Sequence, residues 1–126
     1  GEALSQIWGE TRKLGRGATK GGGERSREAI SLAKRGTQAY NKKDYLQAER
    51  LFCKALEEDP HYARAHTYLG NTYYKQGRTL EAAQSWHLAM RVEPDSDAAK
   101  EAQEKLMRMQ QHRTQRLNDV IDELQR

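Results

Sequence analysis

The chain has 126 residues, of which 36% are apolar and 32% are charged, and its formal net charge is +4 at pH 7. This length suits one domain, and the low apolar fraction allows only a thin hydrophobic core. No apolar run approaches the roughly 20 residues that a membrane-spanning helix needs, so we expect no membrane span. The single Cys53 excludes an internal disulfide and favours a reducing compartment, which predicts a cytoplasmic location. Because the chain begins with Gly1 rather than Met, we expect it to be a piece of a longer protein.

Residues 1–28 are predicted to form a basic, glycine-rich arm. Residues 2–14 are compatible with a short amphipathic helix that docks on a partner or on the repeats, or with a frayed end. Five glycines follow between residues 15 and 23 and indicate a flexible linker. Residues 11–27 hold six Lys/Arg against one Glu, which suits attachment to nucleic acid or an anionic surface, or a solvated tether. The apolar residues of the first part have near-helical spacing: Leu4, Ile7, Trp8 and Leu14.

Residues 29–96 consist of one 34-residue unit written twice, at 29–62 and 63–96. Self-similarity at a period of this length predicts stacked helical repeats. Each unit reads as two helices joined by a short turn. The helices are predicted at Ala29–Lys42 and Leu46–Glu58, and then at Arg64–Gln76 and Leu80–Val92. Small residues recur where paired helices must approach, and one large aromatic residue in each unit is expected to fill the space: Gly36, Ala48 and Phe52, then Gly70, Ala82 and Trp86.

These repeated residues also form a known pattern. The second unit carries Leu69-Gly70, Tyr73, Ala82, Trp86, Ala89 and Pro94, and the first carries Leu32, Gly36, Ala48, Phe52, Ala55 and Pro60. The pattern resembles that of the tetratricopeptide repeat family, with departures at Arg35, Ala39, Lys43 and His66. The resemblance implies an all-α superhelix of two helix-turn-helix repeats, closed by a long C-terminal helix. It also implies a protein-interaction module that binds an extended peptide on its concave side.

Residues 97–126 contain no Gly or Pro and are predicted to form one long capping helix that starts after Asp95 or Ser96. An apolar side in its first half should cover the open edge of the second repeat. This side consists of Ala98, Ala99, Ala102, Leu106 and Met109. A second apolar stripe lies beyond the predicted repeats, where self-association, packing on a neighbouring domain and a frayed end are all open: Leu117, Val120, Ile121 and Leu124.

The first helix of each pair and the start of the capping helix are expected to line the concave groove. Tyrosines there offer area with a polar tip, and the cations favour an acidic ligand. The predicted groove residues are Thr37, Tyr40, Asn41, Arg64, Thr67, Asn71, Tyr74, Lys75, Glu101, Lys105 and Arg108. The clamp with which some relatives hold a terminal carboxylate is not expected, since its places hold Ala33, Thr37, Tyr68, Ala98 and Ala102.

No residue pattern supports catalysis, a cofactor or a metal. His61 and His66 are five residues apart, not the four that place two ligands on one helix face. Cys53 has no neighbour that would activate it, and His66 and His87 are expected to pack between helices. We therefore predict a non-enzymatic adaptor that binds a partner's extended segment. The alternatives are a self-assembly unit and attachment to nucleic acid or an anionic surface through the arm.

Overall fold

A computed structural model describes residues 25–126. This part of the chain forms five α-helices and no strand: α1 (Arg27–Asn41), α2 (Tyr45–Glu58), α3 (Ala63–Lys75), α4 (Thr79–Val92) and α5 (Asp97–Leu124). The predicted all-α repeat fold is confirmed, and every predicted helix end lies within two residues of the observed one. The predicted helix at 2–14 and the glycine linker lie outside the described residues, and the nucleic-acid hypothesis stays a prediction.

Local side-chain chemistry explains where three of the helices begin. The Ser26 hydroxyl accepts hydrogen bonds from the amides of Glu28 and Ala29 at the start of α1. Asp44 caps α2 through the amide of Gln47, and Ser96 caps α5 through that of Ala99. These side chains satisfy amides that have no partner within the helix.

The two turns inside the helix pairs use the same backbone conformation. Lys43 follows α1 with φ at 66°, and Gly77 follows α3 with φ at 81°. The two residues are 34 positions apart, so they occupy the same place in the repeat. A left-handed residue there reverses the chain after the first helix of each pair, which sets α2 against α1 and α4 against α3.

Each helix pair closes over a glycine. A Cβ on Gly36 would lie 2.7 Å from Cε1 of Phe52, and one on Gly70 would lie 2.4 Å from Nε1 of Trp86. Phe52 is fully buried and Trp86 is 2% exposed. The predicted pairing of small residues with a large aromatic is therefore present in both pairs.

The first half of α5 covers the second helix pair. Ala99, Ala102, Leu106 and Met109 are buried, and the last three belong to the core cluster around Trp86. Ala98 is half-buried against the same cluster. Every residue from 110 onward is exposed. Thus α5 has a packed half and an exposed half.

Ion pairs tie the start of α1 to the ends of α2 and α4. The Arg25 guanidinium pairs with Asp59 and with Glu93, which follow α2 and α4 at equivalent repeat positions. It also stacks over the Tyr62 ring, 4.1 Å from the centroid. Glu93 in turn accepts a hydrogen bond from the amide of Ala63 at the start of α3. Arg25, the first described residue, therefore lies beside the turn between α2 and α3.

No helix among α1 to α5 has both the length and the apolar character needed to cross a bilayer. This finding concerns residues 25–126. The cytoplasmic location stays a prediction that rests on the single Cys53.

Candidate binding surface

The predicted groove residues lie on three helices that are neighbours in the fold. Helix α3 packs between α1 and α5 and contacts both. The inward side of these helices forms one surface, which we call the groove surface. It consists of Thr37, Tyr40 and Asn41 from α1, Arg64, Thr67, Asn71, Tyr74 and Lys75 from α3, and Glu101, Lys105 and Arg108 from α5.

The α1 part of the groove surface is built around Tyr40. Its half-buried ring meets Tyr45 and Tyr68 edge-on, at centroid distances of 5.5 and 5.9 Å. Burial raises the pKa of Tyr40, and Tyr45, Tyr68 and Glu101 raise it further, so the hydroxyl stays protonated at neutral pH. Asn41 is exposed, while the Thr37 hydroxyl donates to the carbonyl of Ala33 within α1. Tyr40 thus offers a fixed ring edge and a hydrogen-bond donor.

Thr67 and Asn71 differ from the expectation that they line an open groove. They are only 2% and 7% exposed. The Thr67 hydroxyl donates to the carbonyl of Ala98 at 2.8 Å, and the Asn71 amide donates to Glu101 at 3.3 Å. The Asn71 carbonyl accepts from Nε1 of Trp86 at 3.0 Å. Their polar groups fasten α5 to α3, so the prediction that they are free to bind a ligand is wrong.

The exposed side of α3 is a row of cationic and aromatic groups. Tyr74 is 43% exposed, and its ring centroid lies 5.9 Å from that of Trp86. Lys75 is exposed beside it. At the other end of α3, the exposed Arg64 guanidinium lies 5.1 Å from the centroid of the Tyr68 ring. These three side chains are accessible to a partner.

Two cavities lie along the groove surface. The basic cavity has a volume of about 180 Å³, and its lining carries the cations Lys75, Lys105 and Arg108 and no carboxylate. Within residues 25–126, no carboxylate forms an ion pair with any of these three cations. The other lining residues are Tyr40, Asn71, Tyr74, Trp86, Met109 and His112. Positive charge is therefore concentrated in a concave site with aromatic walls.

The charge-mixed cavity lies at the other end of α3, beside the start of α5. It has a volume of about 240 Å³. Arg64 faces it together with the carboxylates of Glu93, Asp97 and Glu101, and the Tyr68 ring forms part of its wall. Its net charge is opposite to that of the basic cavity, so the groove surface is electrically polarised along α3.

Sequence reasoning missed two residues that line these cavities. His112 lines the basic cavity, and it follows Arg108 by four residues on α5. Extending the step of three to four residues by one more turn would have found it. Tyr68 was considered only as a clamp position, although it lines the charge-mixed cavity and stacks on Phe52 at 5.5 Å.

The histidines and the cysteine have structural surroundings. His66 is buried as expected, its Nε2–H donates to the Pro60 carbonyl at 2.9 Å, and burial lowers its pKa to about 4. His87 is exposed, so its predicted packing is wrong; it follows the inward Trp86 by one position, about 100° around α4. Burial raises the pKa of the Cys53 thiol, which disfavours the reactive thiolate. Residues 25–126 contain no cluster of three or more His, Cys, Asp or Glu arranged to hold a metal.

The fold is that of a helical-repeat protein. Two antiparallel helix pairs are stacked, an aromatic residue packs over a glycine in each pair, and one capping helix follows the second pair. Residues 39–106, more than half of the chain, match the tetratricopeptide repeat family model. The chain belongs to the tetratricopeptide repeat family. Repeats of this family mediate protein–protein interaction and are not catalytic.

One curated relative shows a local similarity. The chain is 53% identical to superkiller complex protein 3 of Homo sapiens over 38 residues. The match covers 30% of this chain and 2% of that protein. It supports the repeat assignment, and the chain spans only a very small part of the relative's length.

Proposed function

We propose that this chain is an adaptor whose groove surface binds an extended, acidic segment of a partner protein. The observation that carries the proposal is the basic cavity, where Lys75, Lys105 and Arg108 lie around a concave site and pair with no carboxylate of residues 25–126. Charge-assisted hydrogen bonds from such cations to a carboxylate are stronger than neutral ones.

The aromatic walls of the basic cavity favour a peptide over a simple ion. Tyr40 and Tyr74 contribute apolar area and hydroxyl groups, and Tyr40 is held in place by two neighbouring rings. A preordered ring loses little conformational entropy when it binds. The ligand class that fits is therefore a peptide with carboxylate side chains and apolar groups between them.

Fluorescence anisotropy with a labelled glutamate-rich peptide tests the charge requirement. The comparison peptide has glutamine at each glutamate position. The acidic peptide should bind more tightly, and added salt should weaken its binding. Lys105→Glu should reduce the affinity about tenfold or more, since one charged hydrogen bond contributes roughly 1.5–3 kcal/mol. Lys100→Glu, an exposed position on the same helix outside the cavity, is the matched control. Equal binding of the two peptides contradicts the proposal.

An affinity pulldown with mass spectrometry tests the site with natural partners. The bait is the whole chain, and the comparison is the double variant Tyr74→Ala, Lys75→Glu. Both side chains are exposed, so the variant should keep its helix content by circular dichroism while it loses the captured partner. Retained capture would contradict the site assignment.

Self-assembly through α5 is a second proposal with its own observation. Leu117, Val120, Ile121 and Leu124 are between 48% and 81% exposed and form one stripe on the half of α5 that lies beyond the repeats. Exposed apolar stripes on helices are typical of helix–helix interfaces. The proposed assembly pairs this stripe with that of a second copy.

Light scattering over a range of protein concentrations tests the assembly. The mass should rise with concentration, and Ile121→Asp should return it to that of the monomer. Asn118→Asp, on the same exposed segment, adds the same charge outside the stripe and should leave the mass unchanged. A monomer at every concentration eliminates this candidate.

A further inference from the structure

A second groove lies on the side of the repeats opposite the groove surface. It has a volume of about 280 Å³ and runs between α2 and α4, with α3 as its floor. Leu69 and Tyr73 face it, and they lie about 200° around α3 from Thr67 and Asn71. Leu56 of α2 and Leu88 of α4 form its walls. We call this the outer groove.

We propose that the outer groove binds the apolar residues of segment 4–14 of the same chain. That segment contributes Leu4, Ile7, Trp8 and Leu14. This interaction uses a different surface from the proposed peptide site and does not depend on it. Three features select this occupant: the tether, the charges and the size of the groove.

Residues 15–24 are long enough for segment 4–14 to reach the outer groove from Arg25. Arg25 is held by Asp59, and the next residue, Pro60, lines the groove at that end. Residues 15–24, half of them glycine, connect Leu14 to Arg25. A glycine-rich chain of this length has an end-to-end distance of roughly 16–19 Å. The outer groove is shorter, because its α4 wall runs from Glu81 to Leu88, about 10 Å at 1.5 Å per residue.

The charges of the groove and the segment are complementary. Glu57 and Glu81 line the outer groove. Glu81 is paired with Arg78, whose guanidinium also lies over the Tyr73 ring, 4.4 Å from its centroid. Glu57 forms no ion pair within residues 25–126. The segment brings Arg12 and Lys13 next to its apolar residues. Docking therefore brings a basic run to the carboxylate of Glu57, which an acidic partner segment would not favour.

Docking would also cover Cys53, which lines the outer groove and is the only cysteine of the chain. The tethered segment has an effective concentration in the millimolar range. If its intrinsic dissociation constant is on the order of 0.1 mM, the groove is occupied about ten times more often than it is free. The rate at which Cys53 reacts with a thiol reagent therefore measures docking.

The experiment compares Cys53 modification in the full chain and in two variants at one pH. Trp8→Asp removes the largest apolar group of the segment and should speed the reaction about tenfold. Gln6→Asp adds the same charge at a polar position and should leave the rate nearly unchanged. Added salt should speed the reaction of the unaltered chain. Equal rates for all three proteins would overturn the proposal.

A groove-side variant and the concentration dependence identify the occupant. Leu88→Asn should speed the reaction, while Leu80→Asn, exposed on the same helix and outside the groove, should not. The Trp8→Asp result stands if Leu88→Asn fails to fold. Protection that is independent of protein concentration supports docking within one chain. Protection that grows with concentration identifies a second copy as the occupant and overturns the proposal.

Discussion

The two helix pairs share one backbone plan but differ in the chemistry at their centre. In the first pair, Phe52 closes over Gly36 and stacks on Tyr68 of the next pair at 5.5 Å. In the second pair, Trp86 closes over Gly70, and its Nε1–H donates to Asn71 and to the carbonyl of Thr67. The first contact is apolar and the second is partly polar.

The difference follows from what each pair must hold. The first pair packs against another repeat, where aromatic stacking suffices. The second pair must fix α5, and it uses Thr67 and Asn71 to reach Ala98 and Glu101. At the equivalent places the first pair has Ala33 and Thr37, and neither reaches another helix through a side-chain hydrogen bond. The helix pair that carries α5 thus has a polar network that the first pair lacks.

Acid should destabilise the protein through the second helix pair, which contains His66. His66 occupies the place that Leu32 has in the first pair. Burial lowers the pKa of His66 to about 4, and His61 and Asp59 are the titratable groups that influence it. The unfolded state binds a proton near pH 6.5, so His66 contributes fully to stability above that pH and loses this contribution as pH falls toward 4. Urea denaturation should show a loss of up to about 3 kcal/mol from this group.

His66→Leu is the matched control for the acid prediction, because it installs the residue of the first pair. Its stability should fall less steeply between about pH 7.5 and 4.5. Identical pH profiles for the parent and His66→Leu would show that His66 does not cause the loss.

Adding a methyl group under the aromatic ring should destabilise the second pair more than the first. Gly70→Ala meets Trp86 at 2.4 Å, closer than Gly36→Ala meets Phe52 at 2.7 Å. Overpacking costs about 1–3 kcal/mol, and the helix propensity of alanine offsets roughly 1 kcal/mol in both variants. We expect a loss of about 2 kcal/mol for Gly70→Ala and a smaller loss for Gly36→Ala in urea denaturation. The reverse order would refute the packing comparison.

The polar part of the second pair can be isolated with a double-mutant cycle. Trp86→Phe removes the donor to Asn71 and installs a ring like that of the first pair. It leaves a buried amide carbonyl without that bond, at a cost of about 1–3 kcal/mol in the free energy of unfolding. The same change in an Asn71→Ala background should cost at least about 0.5 kcal/mol less. Additive effects would mean that the bond contributes nothing.

The turns provide the smallest expected difference. Lys43 adopts the left-handed conformation that Gly77 adopts without strain. Lys43→Gly should therefore raise the free energy of unfolding by up to about 1 kcal/mol, seen as a higher denaturation midpoint. Gly77→Lys should lower it by a similar amount. A loss of stability in Lys43→Gly would indicate that the lysine side chain contributes more than the backbone strain costs.

The fold could be predicted nearly completely because its signals are local. Ser26, Asp44 and Ser96 cap helices through amides two or three residues away. The pairing of Gly36 with Phe52, repeated 34 residues later, indicates which helix faces meet. Cap chemistry, apolar spacing and repeat length are read along the chain, so the ends of α1 to α5 follow closely from them.

The candidate site was predictable only in part. The spacing groups Tyr40, Tyr74 and Lys75, and the structure has all three around the basic cavity; their role in binding stays a prediction. The spacing could not tell that Thr67 and Asn71, on the same stripe, would be buried, because that depends on how closely α5 approaches α3. Both His66 and His87 were expected to pack between helices, yet His66 is buried and His87 is exposed.

The sequence by itself determined the helices, their pairing and the residues that close each pair, since these depend on interactions within one 34-residue unit. The tertiary structure alone decided which polar groups remain available to a ligand. Lys75 and Lys105 are 30 positions apart and meet at the basic cavity because α5 lies along α3. Whether a polar group is exposed depends on the helix that packs over it, and that helix comes from elsewhere in the chain.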